Sequence, residues 1–341
     1  KLKLGAQQLG WECDEVPRWY LYNSSEDKGV FSGVRQSMTE AVLPVIEKER
    51  LSVFSDTCVL KVRPRGRQGA DIVFLRDNQK KTERFDYVFL SAGTINTPYL
   101  LKKSGFRNRD IGKNLRMHPT VKVTAIFDEE VNNALSGVPV HQVKEFSPRY
   151  SMGCSISNLP YLGVSLLDNG VSYGDLMHNW KNMATYYSMV CDGSGRVRAL
   201  PFLDRPLVSY TIGRDGIANL NEGLRQLGRL LFKAGAQRLY PSIRGVGGIS
   251  NIEDWEKLPG EFSAEILNVM TVHLMGTCRM GTLGSGAVVD ENGKLHGQDR
   301  IYIADASIIP TALGVNPQGT VMALCHRNAE AFANRIYEGR K

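Results

Sequence analysis

No Gly-x-Gly-x-x-Gly follows a strand-like run anywhere in these 341 residues, so the chain holds no self-contained turn of the kind that seats a dinucleotide pyrophosphate on a helix N-terminus. The nearest glycine clusters, Gly193-Ser-Gly195 and Gly245-Val-Gly-Gly248, have another spacing and no strand and helix around them. No apolar run reaches the roughly 18 residues that a membrane-spanning helix needs, and no transmembrane segment is expected. Cysteine is sparse and unpatterned: Cys13, Cys58, Cys154, Cys191, Cys278 and Cys325 make no Cys-x-x-Cys and no zinc-like spacing. In a chain of this size that argues for buried thiols over a disulfide framework, and for a reducing, cytoplasmic compartment. Long blocks of one charge are missing too. The 42 basic and 35 acidic residues leave +7, but they are dispersed. The densest cluster, Arg63-Pro-Arg65-Gly-Arg67, has no interleaved aromatics and falls where a hairpin turn is expected, so no nucleic-acid partner is read from it.

What is present suits a globular chain of one large or two ordinary domains, the 42% hydrophobic content being enough for a sizeable core. Residues 1–12 read as the end of a helix stopping near Gly10, with its packing partner expected in a preceding segment. Ser37-Met-Thr-Glu40 has the form of a capping box, predicting a helix from Met38 to Lys48 that Pro44 kinks or shortens. Leu51–Arg63, Ile72–Leu75 and Tyr87–Leu90 read as strands of a small sheet. The run Phe85–Leu90, stopping at Ser91-Ala-Gly93, also suits a buried parallel strand whose carboxyl end meets a ligand. Gly93 removes a side chain where a phosphate or ribose can approach. Leu100 and Leu101 belong to a core-facing helix, and His118, extended before Pro119, reads as a structural histidine. Val121–Ile126 and Val208–Ile212 alternate as strands with one face buried. Asp175–Trp180 with Tyr186 and Tyr187 either line a pocket or fill an aromatic core. Gly216–Ala234, with Leu220, Leu224, Leu227 and Leu231 in one stripe and Gly235 as its stop, is the clearest helix.

Chemistry concentrates between His273 and Pro317. His273 taken alone reads as a satisfied core residue, and Asn316-Pro317 alone as a turn. Cys325 next to His326 makes a poor nucleophile dyad, because helix neighbours point apart, and His273 with Cys278 lacks further metal ligands. Asp305 ends an apolar strand, where a carboxylate requires a partner.

The order of these blocks decides among the readings. His273-Leu-Met-Gly-Thr-Cys-Arg-Met-Gly281, then Val288-Val-Asp290, then Ala304-Asp305-Ala-Ser307, Pro310 and Asn316-Pro317 follow one another, with Ser91-Ala-Gly93-Thr-Ile-Asn-Thr97-Pro98 and Gly112-Lys-Asn114-Leu-Arg-Met-His118-Pro119 upstream. Taken together they resemble the glucose-methanol-choline (GMC) oxidoreductases, flavin enzymes that oxidise alcohols. The resemblance is spread over most of the chain, though residues 125–200 hold no signature. Within the family, Ser32-Gly-Val-Arg35-Gln-Ser37-Met38 is most similar to bacterial long-chain and amino-sugar alcohol oxidases.

That resemblance implies a mixed α/β fold in which an FAD-binding domain, its Rossmann-type part incomplete here, is interleaved with a sheet-based substrate domain. The expected division is 1–120 and 271–341 for FAD and 121–270 for substrate. It implies FAD as cofactor and an alcohol as substrate, oxidised to aldehyde or ketone with hydride passing to the flavin. His273 would be the base, suited by an unperturbed pKa of about 6.5, and Asn316 would orient the substrate oxygen. The implied cofactor-binding residues are Val59, Ala92, Gly93, Asp305, Ala306, Asn316, Pro317 and Thr320, Val59 reading equally as a core valine. The start of the last helix, Pro317–Thr320, would bring its positive end to the flavin's pyrimidine edge. An N-terminal segment or a second chain is expected to complete the FAD site. Two further readings stand beside this one: non-redox chemistry on the same scaffold, such as cyanohydrin cleavage or light-driven decarboxylation, and a cofactor-free binding subunit.

Overall fold

The computed structural model describes residues 1–21, 34–46, 50–133 and 140–338. The chain divides into two compact units, one made of Lys1–Ser52, Pro119–Cys191 and Arg214–Met270, the other of Val53–His118, Asp192–Gly213 and Thr271–Lys341. The linear division at 120 and 270 therefore needs two corrections. Residues 1–52 fold with the middle of the chain, and 192–213 fold with the unit that carries the His273 motif.

The first unit is built on a six-stranded antiparallel sheet. Its order is Cys13–Glu15, His141–Val143, Ser151–Cys154, Met183–Met189, Thr120–Phe127 and Ala236–Pro241. Thr120–Phe127 alternates as its sequence predicts, with Val121, Val123 and Ala125 fully buried. Thr124 on the other face is buried too, and its hydroxyl meets that of Thr185, directly opposite in register, at 2.9 Å. A buried hydroxyl pair of this kind satisfies both groups without water. The leucine-striped helix runs Arg214–Lys233 and buries Leu220, Leu224, Leu227 and Leu231. Its Gly223 rests on Ser188, while Met183 of the same strand packs with Leu162, Leu166 and Leu176, so the sheet is covered on both faces. Tyr186 is core; residues 173–179 form a helix of which only Leu176 is buried.

The N-terminal helix, Leu2–Gln8, ends before Gly10 as expected, but its partner lies within this chain. Gly5 packs against Leu230 of the long helix, where any Cβ would collide with the Leu230 carbonyl. The capping box is half formed: Ser37 Oγ accepts from the Glu40 amide, but the Ser37 amide donates to the Arg35 carbonyl. The α-helix covers only Met38–Ala41, and a 3-10 turn at Leu43–Val45 takes over where Pro44 has no amide to give. Residues 47–49 of that expected helix, and Ser32 and Gly33 of the run quoted above, lie outside the described residues.

The second unit contains a three-stranded antiparallel meander, Thr57–Pro64, Ala70–Arg76 and Gln79–Phe85, with the arginine cluster at its first turn. Its third strand was not expected, because every residue of Gln79–Phe85 is exposed and the strand therefore shows no apolar alternation. Val88–Leu90 does not join that sheet. It pairs in parallel with Ile301–Ile303, and the helix Gly93–Lys103 follows. Leu207–Thr211 forms a two-stranded hairpin with Ser194–Arg198 and is mostly exposed, so the expected buried face is absent there. The core gathers Val62, Ile72, Leu90, Leu101, Val288 and Ile303. Among the described residues no helix is long and apolar enough to cross a membrane.

Candidate active site

Two parallel strands that end together create the centre of the second unit. Beyond Leu90 the chain turns at Gly93, φ 83°, into its helix; beyond Ile303 it reaches Asp305. The buried Asp305 carboxylate joins the two ends. Its Oδ2 accepts from the Gly93 amide at 3.0 Å and the Thr97 hydroxyl at 2.5 Å, and its Oδ1 accepts from the Ser307 amide at 2.8 Å. Thr97 Oγ1 in turn accepts from the Ala92 amide at 3.1 Å. The partner that a carboxylate at a strand end requires is thus a set of protein donors, and the backbone between Ala92 and Gly93 is held by them.

The His273 motif threads past this clamp. Thr277 Oγ1 donates to the Thr94 carbonyl at 2.6 Å, Thr94 Oγ1 donates to the Leu274 carbonyl at 2.8 Å, and the Gly276 amide donates to the Ala306 carbonyl at 3.3 Å. Gly276, φ 90°, is obligatory, because a Cβ there would fall on the Asn114 carbonyl. Asn114 itself has φ 60°, and its Nδ2 donates to the carbonyls of Gly276 and Pro310 at 3.3 and 2.9 Å. One side chain therefore ties together three motif segments that are distant in the chain.

Leu274–Met275 pairs antiparallel with Arg116–Met117, and the His118 amide donates to the His273 carbonyl at 3.3 Å. That register sets the two imidazoles edge to face, with Nδ1 of one 3.1 Å from Nδ1 of the other. His118 is fully buried and His273 half-buried. Burial lowers the His273 pKa to about 4, with the neighbouring His118 acting in the same direction. Burial lowers that of His118 as well, against a backbone hydrogen bond at Leu313 that raises it. His273 does not stay near its ordinary value; it is neutral across the whole range around pH 7. Such a ring carries a single proton on one nitrogen and keeps a lone pair on the other, with less basicity than an ordinary imidazole.

The remaining expected site residues lie in the same unit. Ala306 opens a 3-10 turn that ends at Ile308. Pro317 is buried and Asn316 exposed just before the helix Gln318–Glu338, whose first turn has no acidic residue. Leu313, just ahead of Asn316, connects that segment to His118. Val59 is 41% exposed, which overturns the core-valine reading, and the register of its strand shifts between Val59 and Lys61. Cys278 is fully buried, and burial pushes its thiol up, away from nucleophilic use. From sequence, His118 reads only as structural, Thr97 and Asn114 only as members of the motif runs, and Thr94 has no role of its own. Only Asn114, in a Gly-x-Asn turn suited to a left-handed backbone, carried a local signal.

GMC oxidoreductase family patterns match residues 1–120 and 190–325. An uncharacterized GMC-type oxidoreductase of Sinorhizobium fredii is 36% identical over 340 residues, covering 97% of this chain and 67% of its own length. The chain belongs to the GMC oxidoreductase family. A long-chain-alcohol oxidase of Arabidopsis thaliana is 31% identical over 278 residues, 73% of this chain and 36% of that protein. Pyridoxine 4-oxidase from Mesorbium loti shares the fold, with a TM-score of 0.65 at 18% identity over 89% of this chain and 64% of that one. The chain thus spans about two thirds or less of the lengths of these GMC relatives.

Two backbone features of this GMC unit are compatible with a flavin nucleotide. Gly93 has open space where a Cβ would be, and the exposed start of the 21-residue last helix offers unneutralised amides to an electron-rich ring edge.

Proposed function

We propose that the protein oxidises an alcohol to an aldehyde or ketone with FAD, using His273 as base and Asn316 to hold the substrate oxygen. The observation that carries this reading is the His273 imidazole, kept neutral by burial and by His118 in the unit that also contains the Asp305 clamp and the start of the last helix. Bound FAD supplies the two-electron acceptor that takes hydride from the carbinol carbon. His273 accepts the hydroxyl proton, so one proton and one hydride leave the alcohol and a carbonyl remains. The Asn316 amide donates to the substrate oxygen and exchanges no proton. Val59, Ala92, Gly93, Asp305, Ala306, Pro317 and Thr320 would hold the cofactor. Because the amides of Ala92 and Gly93 already donate to Thr97 and Asp305, Asp305 acts chiefly by shaping the turn, and Gly93 by leaving room. The strand irregularity next to Val59 leaves backbone groups outside the ladder, which suits a main-chain contact. A pyrophosphate-binding turn would come from polypeptide outside these 341 residues or from a second chain. The named long-chain-alcohol oxidase relative makes 1-alkanols the first substrates to try.

The test is anaerobic bleaching of the flavin absorbance on adding alcohols. His273→Ala should slow bleaching by about 10²- to 10⁴-fold while leaving the flavin bound. Full activity in that variant would remove His273 from the chemistry. Unbleached flavin with every alcohol, alongside cleavage of a cyanohydrin or light-driven loss of CO₂ from a carboxylic acid, would favour non-redox use of the scaffold. A full-length protein without flavin absorbance would favour a binding subunit.

A further inference from the structure

The Nδ1–Nδ1 contact constrains more than the position of two rings. Two neutral imidazoles 3.1 Å apart through these atoms share one proton: one Nδ1 donates and the other is bare. If His118 donates, His273 carries its own proton on Nε2 and has no lone pair there for a substrate. If His273 donates, its Nε2 is bare. The choice falls to the far side of His118. The ring is fully buried, and a hydrogen bond with the Leu313 backbone raises its basicity against the larger lowering by burial; because Nδ1 faces His273, we assign that bond to the far nitrogen. A backbone group that stabilises the protonated ring is a carbonyl, which accepts. It favours a proton on the His118 nitrogen turned away from His273, and leaves His118 Nδ1 as the acceptor of the pair.

We infer that His118 is a positioning residue that fixes His273 in the Nδ1–H tautomer, leaving Nε2 as the atom that receives the substrate proton, with the Leu313 carbonyl setting the order. The inference rests on the proposed use of His273 as base, but the tautomer is measurable without turnover. Strand pairing beside His273 and the Asn114 bridge to Pro310 hold the two histidines and the Leu313 segment within one unit, so the contact between the rings is built into the backbone.

Nitrogen-15 NMR of histidine-labelled, flavin-loaded full-length protein is the test. The expected result is a proton-bound shift at His273 Nδ1 and a bare-nitrogen shift at its Nε2. His118→Asn keeps an acceptor near the Nδ1 position and should keep this pattern, whereas His118→Phe keeps bulk without the acceptor and should lose it. The bleaching rate should fall by about 10- to 100-fold in His118→Phe, within the roughly 10²- to 10⁴-fold that a general base contributes, with the substrate KM moving less than about two-fold. His118→Asn should recover most of that rate. A wild-type His273 protonated on Nε2 would overturn the inference even if neither variant folds. It would equally be overturned by a His118→Phe variant with an unchanged tautomer, or by Asn and Phe variants impaired alike. If His273→Ala keeps full activity while the NMR pattern is as expected, the assignment of the base fails and the tautomer coupling stands.

Discussion

The two units solve different problems with the same chain. In the first, burial follows period: alternating residues of Thr120–Phe127 and a leucine stripe on Arg214–Lys233 remove apolar surface from water, and almost any arrangement with that pattern would do so. In the second, the stretch around His273 is held by directed polar bonds. Thr94, Thr97, His118, Thr277, Asp305 and Ser307 are all buried, and most bond to residues far away in the chain. Hydrophobic contact is non-directional and tolerates small shifts. Hydrogen bonds to a carboxylate or a carbonyl do not, and they cost more when one partner is removed. If His273 acts as the proposed base, its unit gains from the second kind of bonding, which fixes an imidazole more closely in place.

The contrast can be broken experimentally. Asp305→Ala should produce the largest loss of stability, about 3–5 kcal/mol, because the Gly93, Thr97 and Ser307 donors lose their acceptor at once. Asp305→Asn should lose less, and equal losses in urea unfolding would show that the charge matters little. In the first unit, Leu220→Ala should cost about 3 kcal/mol by opening a core cavity. All four tryptophans, at 11, 19, 180 and 255, belong to that unit. Their fluorescence should therefore follow the Leu220 variant more closely than the Asp305 one if the units unfold separately.

A smaller effect should appear with pH. An unfolded histidine binds its proton near pH 6.5 and folded His273 only near 4, so stability should be flat above about 6.5 and fall as pH drops toward 4. His118, lowered in the same direction, adds to this slope. A His118→Phe, His273→Phe double variant should flatten that part of the stability curve measured between pH 7.5 and 5. An unchanged slope would contradict the burial argument. The smallest change is expected at Arg229, whose Nε and Nη2 donate to Glu256 at 2.6 and 2.7 Å on the surface of the first unit. Arg229→Ala should shift unfolding by under about 1 kcal/mol, since exposed pairs are screened by water and salt.

Legibility in the sequence divides along the same line. The helix Arg214–Lys233 and the strand Thr120–Phe127 follow from periodicity, which local side-chain chemistry fixes, and the parallel strand before Gly93 from a short apolar run, although only Leu90 of its three residues is buried. Gln79–Phe85 was missed because an exposed strand has no such period, whereas the helix expected from Met38 is present but ends at Ala41, the shortening that Pro44 implied. The partner of Leu2–Gln8 was misplaced because packing between segments more than two hundred residues apart leaves no mark in either one.

By itself the sequence determined the ordered motifs, the family they belong to and the residue types available for chemistry, since these are properties of side chains and their spacing. Only the tertiary structure decided that His118 is the neighbour of His273, that Asp305 clamps two strand ends, and that residues 1–52 belong with the central sheet. Each of those facts is a contact between distant segments. Such contacts are set by the sum of burial and hydrogen bonding over a whole unit, which no short stretch of residues contains.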